Sequence, residues 1–338
     1  MPFKDLTGTD LTRLLQSVSS EVPSLSRRLT HGDWRAYGNG NYTVLIDLDD
    51  GTKIRVGDDD TPFIADTPES MDVKITNRCD AGCPWCHEGS VPTGANADIS
   101  QAFLDTLHPY TEIAVGGGNV FEHPELETFL AQLAERGCIP SITVNQRHLE
   151  GENGDEILDK ILHWRAKRLV YGVGISVSNP TKRLVEIARA IDTSVLHVVN
   201  GLFDEKTFEA LRGRGLRILI LGYKDVRRGR AYHDGNHSDS ITHNMAWLSE
   251  NLGSVVSGFS VASFDNLALE QLPVKQMLGE DAWESFYMGD DGQHTFYIDM
   301  VDKKYSVSST AGETDRRPIG HRSVDEMFAD VRNTTISK

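Results

Sequence analysis

Between residues 72 and 221 the sequence alternates short apolar runs with amphipathic stretches. The apolar runs, 72–77, 111–115, 140–145, 169–177, 194–200 and 216–221, read as strands. The stretches near 100–108, 122–136, 155–166, 181–191, 204–214 and 240–252 read as helices. Strands joined by single helices pair as parallel βαβ units with right-handed crossovers. The expected fold class is therefore α/β, a partial (β/α)6 TIM-like parallel barrel two units short of closure. Boundary residues agree. Asp98 and Ser100 stand where a helix N-cap belongs, and Gly137 and Pro140 stop the helix that ends at Arg136. Gly258–Ser263 is strand-like and extends the sheet.

The flanks read differently. A polar helix and linker fill the first thirty residues. Asp49-Asp50-Gly51 then separates 42–48 from 52–56, a hairpin pattern. The acidic, proline-bearing stretch 58–70 reads as a linker. Near the other end, Gly289-Asp-Asp-Gly292 lies between 286–288 and 294–299, a second hairpin pattern, and an amphipathic helix is expected near 323–332. The expected division is an N-terminal helix and β-hairpin extension (1–70), a barrel (71–265) and a small C-terminal α+β cap (266–338).

Charge narrows the function classes. Lys plus Arg number 34 and Asp plus Glu 50, a net charge of −16, which opposes tight binding of polymeric nucleic acid or anionic lipid. No apolar run approaches the roughly 20 residues of a membrane helix, and residues 1–10 lack the order of a signal peptide. A soluble, cytoplasmic protein is expected, with its four cysteines kept as thiols.

Three of those cysteines stand together in Thr76-Asn-Arg-Cys79-Asp-Ala-Gly-Cys83-Pro-Trp-Cys86-His-Glu88, just after a strand. The carboxyl edge of a parallel sheet is where active sites of such folds form. Three thiolates there can hold a soft metal or an iron–sulfur cluster, and a four-iron cubane on three cysteines leaves one iron open. Zinc held by Cys79, Cys83, Cys86 and His87 is the alternative, although adjacent Cys86 and His87 are poorly placed for one tetrahedral ion. Cys138 stands alone and reads as a small buried residue.

The spacing Cys79-x₃-Cys83-x-Trp85-Cys86 resembles the CxxxCxΦC motif of the radical S-adenosylmethionine (radical SAM) enzymes, over about residues 71–263. The resemblance implies a 4Fe–4S cluster on the three cysteines. It implies S-adenosyl-L-methionine on the open iron, reductive cleavage to a 5′-deoxyadenosyl radical, and hydrogen-atom abstraction from substrate. It also implies an electron donor such as flavodoxin or ferredoxin and an oxygen-sensitive protein. Trp85 occupies the position where the family backbone meets adenine. Gly116-Gly117-Gly118-Asn119 resembles the family's GGE motif, with Asn119 where Glu is usual. Ser176 and Ser178 match strand-end hydroxyls that face ribose or carboxylate, or else cap the next helix; Asn200 is of the same kind.

Other polar residues converge at the same expected rim: Asn145, Arg147, Asp265 and Asn266, and the basic run Tyr223-Lys224-Asp-Val-Arg227-Arg228-Gly-Arg230. That run suits a carboxylate or phosphate, or is a solvated loop. Lys74, His87, Glu88, Tyr223 and Lys224 are the candidates for catalytic groups. Lys74 lies inside a strand and must be paired or near the reaction. The expected substrate is a nucleotide, nucleobase or other small anionic molecule. A peptide or protein side chain is the alternative, weakened by the lack of cysteines beyond 266 for auxiliary clusters. A non-catalytic iron–sulfur or zinc module is the rival from another class.

Overall fold

The computed structural model describes residues 4–58 and 61–336, so Met1–Phe3 of the expected N-terminal segment and Asp59 and Asp60 of the expected linker lie outside the described residues. Two sheets organise the chain. The smaller is antiparallel, in the order β1 (Lys4–Leu6), β2 (Trp34–Asn39), β3 (Tyr42–Asp47), β4 (Lys53–Val56). β3 and β4 form the hairpin expected around Gly51. Helices Gly8–Glu21 and Ser26–His31 cover this sheet through Val18 and Leu29, which share a core with Trp34, Ala36 and Leu45.

The larger sheet contains β5 (Ser70–Thr76), β6 (Glu112–Gly117), β7 (Ile139–Asn145), β8 (Gly172–Ser176), β9 (Ser194–Val199), β10 (Arg217–Leu221), β11 (Val261–Phe264), β12 (Thr295–Asp299), β13 (Lys304–Ser306) and β14 (Arg317–Pro318). Their order is β11-β10-β9-β8-β7-β6-β5-β12-β13-β14. From β11 across to β12 every pairing is parallel; β13 and β14 return antiparallel. The expected strands between 72 and 221 are all present, and 258–263 supplies β11. The result is an α/β fold built on a large, mostly parallel sheet. It is open: β11 and β14 are its edges, and among the described residues no ladder joins them.

The C-terminal part departs from expectation. Gly289–Gly292 closes no hairpin between 286–288 and 294–299. The first arm forms no strand: a helix, Glu280–Phe286, ends at the arm's first residue. β12 instead lies parallel to β5, from Thr295 opposite Ser70 to Asp299 opposite Lys74, and makes its hairpin with β13. Phe296 and Ile298, both almost fully buried, explain the choice, since only the flank of the central strand offers them a core.

The two faces of the parallel strands differ. Val73, Ile75, Ile113, Val115, Ile142, Val144, Val173, Ile175, Leu196, Val198, Ile218 and Ile220 are at most 3% exposed and belong to the main core. Phe129, Leu130 and Leu133 of the helix Leu126–Glu135 belong to the same core. The alternate residues include Asp72, Gly116, Ser141, Thr143, Asn145, Gly174, Ser176 and His197, which are small or polar and mostly part-exposed. A barrel interior normally closes on branched apolar side chains. Small and polar residues leave that face room for something other than protein.

Candidate metal and cofactor site

The segment that follows β5 is shaped by its own main chain. Cys79 N–H donates to Val91 O (3.0 Å), Cys86 N–H to Cys83 O (3.2 Å) and Gly89 N–H to Cys86 O (3.2 Å). Bridges Thr76 to Asn96 and Arg78 to Val91 tie the loop's two limbs together. Cys79, Cys83 and Cys86 are free and part-buried. Burial pushes the Cys79 and Cys83 thiols up, and both feel the neighbouring cysteines. Three unpaired soft donors on one loop, within electrostatic reach of one another, fit a cluster-binding set.

β6 ends beside this loop. A Cβ on Gly118 would meet Arg78 O at 2.1 Å and one on Gly117 would meet Thr76 O at 2.4 Å, so these two glycines let the strand end pack on the cysteine limb. Gly116 differs, since nothing lies within 4 Å of its Cβ position. Asn119 is buried, and its side-chain carbonyl accepts from Phe121 N–H (3.2 Å), capping a short turn.

The alternative zinc set, Cys79, Cys83, Cys86 and His87, does not assemble among the described residues. His87 Nε2 faces Glu88 Oε1 at 3.4 Å and Lys224 Nζ at 3.5 Å instead of completing a tetrahedron with the sulfurs. The groups that do approach a cysteine are Asp80 and His148, whose ligand atoms lie within 4.8 Å of each other and of Cys79 Sγ.

Lys74 is 2% exposed and doubly paired, to Glu88 Oε2 at 3.0 Å and Asp299 Oδ2 at 2.9 Å. Arg316 lies 3.6 Å from Asp299, and Tyr297 O–H donates to Glu88. Burial alone would raise the Glu88 carboxyl; His87 and Lys74 hold it far below the usual carboxylate range. This buried network joins the cysteine loop to β5 and β12. Lys74 and Glu88 are thereby engaged with each other and, through Lys74, with Asp299. Tyr223 is also engaged locally, its hydroxyl donating to Gly229 O at 2.7 Å.

The basic run is committed to the same loop. Arg227 donates to His87 O (3.0 Å), Arg228 to Ser90 O (2.7 Å) and Arg147 to Ala81 O (2.6 Å), while Arg230 pairs with Asp225. Arg227 and Arg228 of the expected anion site thus also hold the loop main chain, while Arg228 Nε is buried without a hydrogen-bond partner among the described residues. Lys224 is different. Its Nζ lies 3.0 Å from Ser309 Oγ, and among the described residues no carboxylate lies within 4.0 Å.

Lys224 acts electrostatically on Asp72, His87, His197 and Asp291, which marks a shared space. Asp291 is raised, first by burial, to about 6; His197 is pushed down to about 4 by burial and by Lys224. His197 crosses β8 at Gly174, whose Cβ would meet the imidazole at 2.3 Å. Sequence reasoning missed Asp72, His197 and Asp291. A charged residue two places before Lys74 in an apolar strand was a usable sign for Asp72; nothing marked the other two.

A cleft of about 170 Å³ opens beside the loop, lined by Trp85, Tyr232, Ser178, Val199, Gly201 and Asn244 among others. Trp85 and Tyr232 meet edge to face at 5.6 Å. Ser178 caps no helix: its Oγ donates to Asn145 Oδ1 (3.3 Å), and Thr181 is the N-cap. Ser176 ends β8 beside Asn145. Asn200 is fully buried and donates to Gln271, while its Oδ1 has no hydrogen-bond partner among the described residues. Asp265 caps the helix Asn266–Gln271, and Asn266 donates to Asp291. Cys138 is buried, and burial pushes its thiol up to about 12. No helix among the described residues is long and apolar enough to cross a membrane.

No family model and no curated protein sequence matches this chain. Among solved structures, SuiB of Streptococcus suis bound to the precursor peptide SuiA is similar over 81% of this chain and 67% of that one, with a TM-score of 0.53 at 12% identity. SuiB bound to S-adenosylmethionine is similar over 80% and 68%, with a TM-score of 0.50 at 10% identity. At these identities the likeness is one of fold alone.

Proposed function

We propose that this chain is a radical SAM enzyme. The observation that carries the reading is the set of three free thiols at the carboxyl end of β5, packed against the glycine-built end of β6. Cys79, Cys83 and Cys86 would hold a 4Fe–4S cluster, and S-adenosylmethionine would lie between that cluster and Gly116, where a backbone without Cβ leaves an approach. When bound, the cluster supplies one electron that cleaves S-adenosylmethionine to a 5′-deoxyadenosyl radical, which takes a hydrogen atom from substrate.

The chain's own groups then have these tasks. Trp85, Ser178 and Tyr232 form the wall against which an adenine ring fits. Ser176 and Asn119 stand at neighbouring strand ends as further polar contacts; Asn200, held by Gln271, is the weakest of these assignments. Lys74, Glu88, Arg227 and Arg228 keep the loop in shape. The open sheet serves as a partial barrel, with β12 as an integral strand. Substrate lies on its small-residue face, within reach of Lys224, Asp72, His197 and Asp291. A flavodoxin or ferredoxin would deliver the electron. A peptide is the second reading of the substrate. It is supported by the similarity to SuiB in its precursor-peptide complex, the first reading being a nucleotide, nucleobase or other small anionic molecule.

Anaerobic reconstitution with iron and sulfide, followed by dithionite and S-adenosylmethionine, tests the reading. Wild type is expected to bind about four irons and release 5′-deoxyadenosine; Cys83→Ala is expected to lose the visible absorbance and the product. A wild-type protein that takes up only zinc, or holds iron without cleaving S-adenosylmethionine, is the non-catalytic module instead.

A further inference from the structure

The turn after β7 carries three side chains that contact the cysteine loop. Asn145 Nδ2 lies 3.6 Å from Cys83 Sγ. Arg147 donates to Ala81 O, and His148 Nε2 meets Asp80 Oδ1 at 3.0 Å beside Cys79. The Asn145 amide is not free to turn over. Its Oδ1 accepts from Arg147 N–H at 3.0 Å, capping the turn Gln146–Leu149, and from Ser178 Oγ at 3.3 Å. With both lone pairs of the oxygen engaged, the NH₂ group is the only part of the side chain left to face the sulfur. Capping alone does not require asparagine, because serine and aspartate cap as effectively. Only asparagine accepts two hydrogen bonds at one end and donates toward Cys83 at the other.

We propose that Asn145 is a positioning residue that donates an N–H···S hydrogen bond to the Cys83 thiolate and thereby raises the reduction potential of the cluster. This deepens the function proposed above and rests on it. A donor at a ligand sulfur draws off negative charge, so it favours the reduced cluster, which carries one more electron. The bond makes a hard reduction easier without touching S-adenosylmethionine or substrate.

Asn145→Ser keeps the cap and a neutral side chain but cannot reach the sulfur; Asn145→Asp keeps the cap and puts an acceptor there. The experiment is a redox titration of the reconstituted protein followed by electron paramagnetic resonance, without substrate, alongside iron content, melting temperature and the Fe–S stretch in resonance Raman spectra. Asn145→Ser is expected to hold wild-type iron and melt as wild type does. At the potential that half-reduces wild type, its reduced-to-oxidised ratio should fall on the order of tenfold, about 59 mV for a one-electron couple. Asn145→Asp should fall further, and the Fe–S stretch should rise in both. If both variants hold full iron and titrate with wild type, the donor role is overturned. It is equally overturned if both stay folded yet lose iron, since Asn145 is then a structural cap. A wild-type protein that assembles no cluster removes the function itself, and that appears in the wild-type arm before any variant is measured.

Discussion

Gly116 and Gly118 stand two residues apart, yet a methyl group meets opposite surroundings at each. At Gly118 it strikes the Arg78 carbonyl at 2.1 Å, a backbone atom of the cysteine limb that can yield only by moving the loop; at Gly116 it meets nothing within 4 Å. Gly118→Ala is therefore expected to lose iron and to lower the melting temperature. Gly116→Ala is expected to keep both while weakening S-adenosylmethionine binding on the order of tenfold or more, read by titration against the bound iron. Loss of iron from both variants alike would remove the distinction. The same positions show what a sequence reveals at this scale. Three cysteines and three glycines are legible because their chemistry depends on residue type and spacing. Lys74 was legible as a residue that had to be paired, but its partner Asp299 lies 225 positions away and no local pattern names it. His197 becomes meaningful only because Gly174 on the neighbouring strand leaves space for its ring.

At the scale of elements, the repeated strands and helices were legible because each carries its own period and its own stop. β12 was not. Gly289–Gly292 advertises a local turn, whereas the strand's apolar residues are satisfied only by the flank of β5, a pairing set by the whole sheet. The expected cap is consequently part of the core. β12 supplies Asp299 to Lys74, and stripping one partner from a buried ion pair costs about 3–5 kcal/mol. A chain truncated after residue 290 should therefore be insoluble or lack cooperative unfolding, and should not behave as a trimmed enzyme. A truncated protein with a sharp wild-type-like melting transition would contradict this.

Across the whole molecule, the two sheets meet through a polar interface. Glu69, 1% exposed, receives Arg55 through two nitrogens at 2.8 and 3.2 Å and Lys53 at 3.2 Å, and Tyr42 O–H donates to it at 2.5 Å. His294 Nδ1 lies 3.0 Å from the same hydroxyl. Burial, then Arg55, pushes His294 down to about 4, whereas Lys53 and Arg55 overcome the burial of Glu69 and hold it at about 2. Both groups bind protons more readily in the unfolded chain. The stability these two groups contribute is therefore complete above pH 6.5, falls between 6.5 and 4 as the unfolded histidine charges, and falls again between 4.5 and 2 as the unfolded glutamate protonates. The histidine step amounts to about 3 kcal/mol. Between pH 7 and 5 the unfolding free energy should fall less steeply in His294→Gln than in wild type; identical slopes would contradict it. One further consequence follows from the guanidinium groups of Arg147, Arg227 and Arg228, each fastened to a main-chain carbonyl of the cysteine segment. On the proposed function these bonds would let iron be stripped and restored without the polypeptide having to refold around it, which far-ultraviolet circular dichroism of the iron-free protein would check.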